Sequence, residues 1–437
     1  MTDIETQRKA KVECELYHRR WFMLFIFVCF EIGSSLHWIQ YSIIANLVSR
    51  YYGVSHSAVD WTSMIFMVVY IPLVFPASHL VEKVGLRWPM IMGTFVTAAG
   101  SCIKIASVGQ DLFWVTFIGQ TFIGMAQVFM LSVPPIIAAV WFGEKEVSTA
   151  CSIGVFGDQA GIVLGFIIPA LMVDDHLDVE DIGNDLSSVY YIGAGFNIAV
   201  FILTLLFFQN KPPKPPSPQQ AMQKENAAGN ESGFVSLMKR LMLNRSYIVL
   251  LIAYSINQSA LFAFSTLLNQ IIVQYKYENE EELGGIIGVI MIASGMIGSI
   301  IFGIILDKTR RYRLNTFIVF GLSFVGMVAV TYTLPTKSET AVYFSTGFFG
   351  FFLIAYMSIA YDLAVEVTYP EPESFTSGFL TLSCQLVSWL GTLVYGEMVR
   401  SVGAEWSNNF LSVALLIGTV LHTVINPDLK RQAAYRD

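Results

Sequence analysis

The sequence predicts an all-α membrane protein with twelve transmembrane helices in two six-helix pseudo-repeats, and three observations carry that expectation. The chain of 437 residues is 54% hydrophobic and only 14% charged, whereas soluble domains run near a quarter charged. Charge-poor runs close to the roughly 20 residues that a helix needs to cross a hydrocarbon core recur along the whole length. One long polar stretch divides those runs six and six.

The apolar runs fall at 21–47, 61–80, 89–108, 113–136, 147–172 and 188–208, then at 246–272, 283–305, 315–335, 341–363, 374–398 and 403–425. They lack the alternation of barrel strands. Only helices and closed barrels satisfy their backbone groups in lipid, so a helical bundle is expected. The first run is longer than a signal-peptide core and no small-residue cleavage pattern follows it, so it is expected to stay in the mature protein. Cys14 precedes the first run and Cys29, Cys102, Cys151 and Cys384 lie inside runs, which implies no disulfide or zinc framework.

Basic residues set the expected orientation. With the N-terminus in the cytosol, 21 of the 26 Lys and Arg residues fall on cytosolic segments. Both termini are therefore predicted to be cytosolic, in a multi-pass protein expected in the plasma membrane, with an intracellular membrane left open. The domain organisation follows: a cytosolic segment at 1–20, an N-terminal bundle at 21–208, a cytosolic linker at 209–245, a C-terminal bundle at 246–425 and a cytosolic tail at 426–437. The linker opens on Lys211-Pro212-Pro213-Lys214-Pro215-Pro216 and continues with polar residues unable to build a core. Two halves that both start from the same side match the parallel repeats of major facilitator transporters.

A second sign of duplication lies between the second and third spans of each half. One loop carries Glu82, Lys83, Gly85 and Arg87; the other carries Asp307, Lys308, Arg310 and Arg311. Both resemble the facilitator loop of glycine, acid and bases, although Ser78 stands where the leading glycine belongs and Leu86 where a base belongs. A tight turn there would gather charges at helix ends into a cluster that breaks when one half rocks. An ordinary basic hairpin is the alternative.

Polar and aromatic side chains deep inside spans are where a solute would bind. Span one is interrupted by Glu31, Gly33, Ser34, Ser35, His37, Trp38, Gln40 and Tyr41. Helical spacing would put Trp38 and Tyr41 on one face. Trp38 and Phe262 occupy matching depths in spans one and seven, so their rings could face each other across the pseudo-two-fold axis as an aromatic cage for an organic cation. Lipid-facing or packing roles for the same rings stay open. Asp158 and Gln159 in span five match Gln385 in span eleven, and Gln127 lies in span four. An isolated acid at the bilayer centre is disfavoured by roughly 3 kcal/mol, so Asp158 should face a polar cavity or a partner. The glutamines serve equally well as helix-to-helix ties.

The words Trp38-Ile39-Gln40-Tyr41-Ser42-Ile43-Ile44, Val140-Trp141-Phe142-Gly143, Glu146-Val147-Ser148-Thr149-Ala150-Cys151-Ser152, Ser265-Thr266-Leu267-Leu268-Asn269 and Val365-Glu366-Val367-Thr368-Tyr369-Pro370-Glu371 resemble the feline leukaemia virus subgroup C receptor family. The resemblance covers residues 17 to 432. It implies a facilitator fold and facilitative carriage of choline, with ethanolamine also proposed and haem export an older assignment. Carried over by motif, the family's cage tryptophan falls on Trp38, its tyrosine on Phe262 and its glutamines on Gln127 and Gln385. Two positions depart: Phe262 lacks the hydroxyl, and Asp158 replaces an asparagine. A haem reading would look to His37 for an axial ligand. A sensor or receptor that moves no solute is the further alternative.

No HExxH and no phosphate-cradling GxxxxGK[ST] occurs, so the sequence offers no basis for an enzyme or an ATP-driven pump. The expected partners are a small cation and the lipid bilayer, without nucleic acid or cofactor, and the protein is expected to be a monomer.

Overall fold

The computed structural model describes residues 14–130, 133–143, 146–216, 234–277, 279–309, 311–369, 371 and 373–425, and among them every regular element is helical. Span one comprises α1 (Arg19–Ile39) and α2 (Ala45–Tyr52). Spans two and three are α3 (His56–Val84) and α4 (Arg87–Ile105). Span four holds α5 (Phe113–Met130) and α6 (Val133–Trp141), with residues 131 and 132 outside the described residues, and spans five and six are α7 (Val147–Met172) and α8 (Val179–Phe207). Helix α9 (Phe234–Leu243) precedes span seven, formed by α10 (Arg245–Thr266) and α11 (Leu268–Tyr275). Spans eight to twelve are α12 (Glu280–Thr309), α13 (Tyr312–Thr333), α14 (Glu339–Thr368), α15 (Glu373–Ser401) and α16 (Ala404–Val424). Ten helices among the described residues are individually long and apolar enough to cross a membrane, and the fold is that of a multi-pass α-helical membrane protein.

Several helices outrun the apolar runs that announced them. Helix α8 starts at Val179, where Asp178 caps Glu180 N and Glu180 and Asp181 sit in the first turn. Helix α12 starts with three glutamates. Acids suit the positive end of a helix dipole, so these polar turns extend helices whose apolar portions alone were legible.

Span one departs from the single helix expected over 21–47. Helix α1 stops at Ile39, residues 40–44 form turns, and α2 begins at Ala45. The break leaves backbone carbonyls without helical donors, and side chains supply them: Gln120 Nε2 donates to His37 O at 2.8 Å and Ser63 Oγ to Trp38 O at 2.9 Å. Span seven breaks at the matching place, Leu267. Interrupted helices are tolerated in a membrane where the freed groups are buried in protein.

Helix pairing repeats between the halves. Span one packs on span five and span seven on span eleven; spans two and four pair as do eight and ten; three and six pair as do nine and twelve. Small residues permit the closest approaches. A Cβ on Gly350 would stand 2.1 Å from Met291 O, so α12 and α14 touch backbone to backbone.

Both ends of each six-span set, together with α9, lie on one face of the bundle, called here the terminal face; α2, α11 and the loops after odd spans lie on the far face. The halves meet chiefly through α7 against α12 and α3 against α15. Near the far face a Cβ on Gly288 would stand 2.5 Å from the Phe166 ring, so glycine is required for that contact. Helix α9, within the polar stretch read as linker, rests on the bundle through buried Leu237 and Leu241 one turn apart.

Candidate functional site

Trp38, next to last in α1, meets Phe262 of α10 across the junction of the halves. Their ring centroids lie 5.1 Å apart at 71°, edge to face. Trp38 is buried and Phe262 half-buried. The two rings thus touch each other, leaving no thickness for a cation between them in this state. A second ring pair, Trp61 with Trp389 at 6.4 Å, joins α3 to α15.

Asp158 on α7 accepts from Ser35 Oγ through Oδ1 and from Gln159 Nε2 at 3.0 Å through Oδ2. Ser35 lies one turn beyond Glu31 on α1, and Glu31 is 2% exposed. A Cβ on Gly157 would stand 3.2 Å from Glu31 Cβ, so the two carboxylates belong to one interface, and they interact electrostatically. Neither has a cationic partner among the described residues. From the other half, Tyr361 of α14 stands within electrostatic reach of Asp158, and its hydroxyl is fixed by Tyr254 and Thr381. Gln159 Oε1 and Gln385 Oε1 are buried acceptors without a donor among the described residues. Gln127 is half-buried beside Ala126 and Val128; Val128 belongs to one cluster with Tyr70 and Val74, against which Leu382 packs from the other half.

Two residues expected near the rings lie elsewhere. Because α1 ends at Ile39, Tyr41 leaves the face of Trp38; its hydroxyl donates to Tyr190 OH at 3.0 Å inside the N-terminal half. His37 points the same way. Its Nδ1 lies 2.8 Å from Gln40 Oε1 and 3.2 Å from Lys104 Nζ, and its Nε2 lies 3.0 Å from Asn197 Nδ2 and 3.2 Å from Ser101 Oγ. Lys104 is fully buried, with its Nζ 3.0 Å from Gln120 Oε1, 4.6 Å from the Tyr41 ring centroid and 5.4 Å from that of Tyr190. This network ties spans one, three, four and six into one block.

The far face is tied by polar contacts. Asp60, 4% exposed, accepts from Gln270 Nε2 at 2.6 Å and pairs with Arg400 Nη1 at 2.9 Å. Asn46 Nδ2 donates to Glu281 Oε1 at 2.7 Å, and Asn46 N donates to Asn269 Oδ1 at 3.3 Å. Among the described residues, all hydrogen bonds between the halves lie at this face. Sequence reading did not single out Asp60 or Arg400, which lie one and two residues outside the apolar runs at 61–80 and 374–398.

In the first charged loop, Gly85 takes φ +78°, and Leu86 N donates to Asn210 Oδ1 at 2.7 Å. Lys83 and Arg87 are exposed, as are Lys308 and Arg311 of the second loop. The side chains of Glu82 and Asp307, and all of Arg310, lie outside the described residues. The geometry therefore gathers Trp38 with Phe262, places Asp158 beside Gln159 and near Tyr361, and sends Tyr41 and His37 into the N-terminal half.

A family model described as Major Facilitator Superfamily matches residues 21–392. The chain is 41% identical over 422 residues to the choline/ethanolamine transporter flvcr2a of Danio rerio, covering 97% of this chain and 89% of the relative. It is 38% identical over 419 residues to the choline/ethanolamine transporter FLVCR2 of Homo sapiens, covering 96% and 79%. Among solved structures, a bacterial homolog of the human lysosomal transporter Spinster, inward-facing and occupied, matches with TM-score 0.70 at 11% identity, covering 94% of this chain and 97% of that one. The Escherichia coli fucose:proton symporter FucP matches with TM-score 0.64 at 13% identity, covering 93% and 98%. At such identities the structural likeness establishes the fold alone.

Proposed function

This chain belongs to the feline leukaemia virus subgroup C receptor family of the Major Facilitator Superfamily, and on that premise we propose that it carries choline or a related organic cation such as ethanolamine, by alternating access of its two halves. The observation that carries the reading is the Trp38–Phe262 pair at the junction of the halves. In an edge-to-face contact the positive rim of one ring lies on the negative face of the other. A trimethylammonium replaces that rim when the rings part, gaining attraction from both faces within about 6 Å of each centroid. Phe262 supplies a face without a hydroxyl, so the ring attracts charge and offers no hydrogen bond. Asp158 adds a negative potential, and Gln127, Gln159 and Gln385 are the amides placed to meet the hydroxyl or amine of the substrate.

Asp60, Gln270 and Arg400 hold the halves together at the far face, and in alternating access these contacts would part when that face opens. The excess of Lys and Arg on the terminal face argues that it is cytosolic, with both termini there. The charged loops after spans two and eight would form and break contacts as the halves rock. Both nitrogens of His37 are engaged, so no observation favours the haem reading.

The test is uptake of labelled choline and ethanolamine into vesicles reconstituted with the protein, comparing wild type with Trp38→Ala. Loss of a desolvated cation-ring contact of about 2 kcal/mol raises KM roughly 30-fold. Saturable uptake with an unchanged KM in the variant removes the ring pair from the mechanism. Tight choline binding without flux would instead make the protein a receptor.

A further inference from the structure

A polar cleft of about 770 Å³ opens on the terminal face, away from the Trp38–Phe262 junction. It lies between the starts of α10 and α13, the ends of α14 and α16, and helix α9. Three guanidiniums line it, those of Arg240, Arg245 and Arg313, against one lining carboxylate, Glu371. The charges are unequally committed. Arg240 holds Glu371 with both arms of its fork, Nε to Oε1 at 2.8 Å and Nη2 to Oε2 at 3.1 Å. Arg313 Nη2 donates to the carbonyl of Thr423, covering the open end of α16 without neutralising the guanidinium. Arg245 has no ion-pair partner among the described residues. Among the described residues the lining therefore keeps a surplus of two positive charges.

The rim of the cleft is apolar and exposed. Leu243 at the end of α9 is 75% exposed and Val424 at the end of α16 is 48% exposed; Leu314 and Ile318 continue an exposed apolar strip down α13 toward the lipid-facing surface. Guanidiniums set beside an apolar rim at the end of a membrane bundle suit a ligand with an anionic head and hydrocarbon chains. Arginine forks match phosphate oxygens in pairs.

We propose that this cleft binds the headgroup of an anionic phospholipid, with its phosphate between Arg245 and Arg313 and its chains leaving over Leu243 and the α13 strip. Arg240 lies on α9, so an occupied cleft also fastens the helix that precedes the second half to the ends of spans seven, nine, ten and twelve. The proposal is independent of which substrate is carried and of which side of the membrane the face occupies.

The test measures retention of a fluorescent short-chain phosphatidylinositol monophosphate by the purified full-length chain in detergent. Competitors are the unlabelled lipid, phosphatidylcholine of equal chain length, inositol phosphate and inorganic phosphate. Saturable binding displaced by the unlabelled lipid and poorly by the other three is expected. Arg245→Gln and Arg313→Gln each weaken binding roughly ten- to a hundredfold, the loss of one charge-assisted contact. Glu371→Gln, which releases Arg240 into the cleft, tightens it; a gain of affinity is not produced by misfolding. Equal displacement by inositol phosphate or inorganic phosphate makes this a soluble-phosphate site and overturns the proposal, as does equal displacement by phosphatidylcholine. Binding unchanged in both arginine variants, or unmoved by Glu371→Gln, overturns it as well.

Discussion

Replacing Asp60 with asparagine should loosen the far face while leaving the bundle folded. Asp60 is 4% exposed and receives Gln270 at 2.6 Å and Arg400 at 2.9 Å, whereas the Arg400 side chain is 30% exposed. Breaking a fully buried pair destabilises by about 3 to 5 kcal/mol, and an exposed pair contributes at most about 1 kcal/mol. With one partner partly in solvent and the Gln270 contact retained by the amide oxygen, we estimate about 2 kcal/mol. All of it falls on the closed far face, because the pair joins opposite halves. That is roughly a 30-fold shift, enough to move a closed-to-open ratio of about 99:1 to about 3:1. Spin labels at Asp111 and Ser338, exposed far-face positions in opposite halves, would read it by pulsed dipolar spectroscopy after Cys14 and Cys102 are replaced. A second, longer distance should appear in Asp60→Asn, and an Asp60→Arg/Arg400→Asp exchange should suppress it. If the distributions of wild type and Asp60→Asn superimpose, the pair does not hold the halves together.

Gly288→Leu should act in the same direction, since its Cβ would meet the Phe166 ring at 2.5 Å; overpacking of about 1 to 3 kcal/mol should lengthen the same label distance, and no change would mean that α7 and α12 do not close there. Asp158→Asn keeps the shape but removes the charge, and should weaken choline affinity about tenfold in an uptake assay run across pH; identical affinity and pH response would assign Asp158 to structure. The new amide would face the Gln159 nitrogen, and Gln159 would turn its donor-free Oε1 toward it. Lys104→Met should lower the melting temperature by a few degrees, because Gln120 Oε1 loses a buried donor at about 1 to 3 kcal/mol, while the choline KM stays within about twofold. A changed KM with unchanged melting would place Lys104 in the transport path.

The number and order of spans were legible because lipid demands apolar runs of fixed length, and the duplicated helix pairing follows from the six-and-six division. The meeting of Trp38 with Phe262 was legible from matched depth. What escaped was local backbone geometry. Helical spacing put Tyr41 beside Trp38, but the turn after Ile39 sends Tyr41 to Tyr190. That turn is held by Gln120 and Ser63 from other spans, and sequence distance hides such contacts. Glu31 and Lys104 are charges inside apolar runs, yet bringing Glu31 beside Asp158, and Lys104 beside two tyrosine rings, required knowing how the helices pack. The arginine cleft is assembled from five helix ends, and its three arginines come from stretches far apart in sequence.

The edge-to-face contact of Trp38 and Phe262 has a kinetic corollary for a carrier of the proposed kind. Each ring already serves the other as a guest, so the contact between them is electrostatically satisfied without a cation. A carrier of this sort would return across the membrane without waiting for a fresh passenger. It would run down a concentration gradient to equilibrium, and a load on the opposite side would speed the return only modestly.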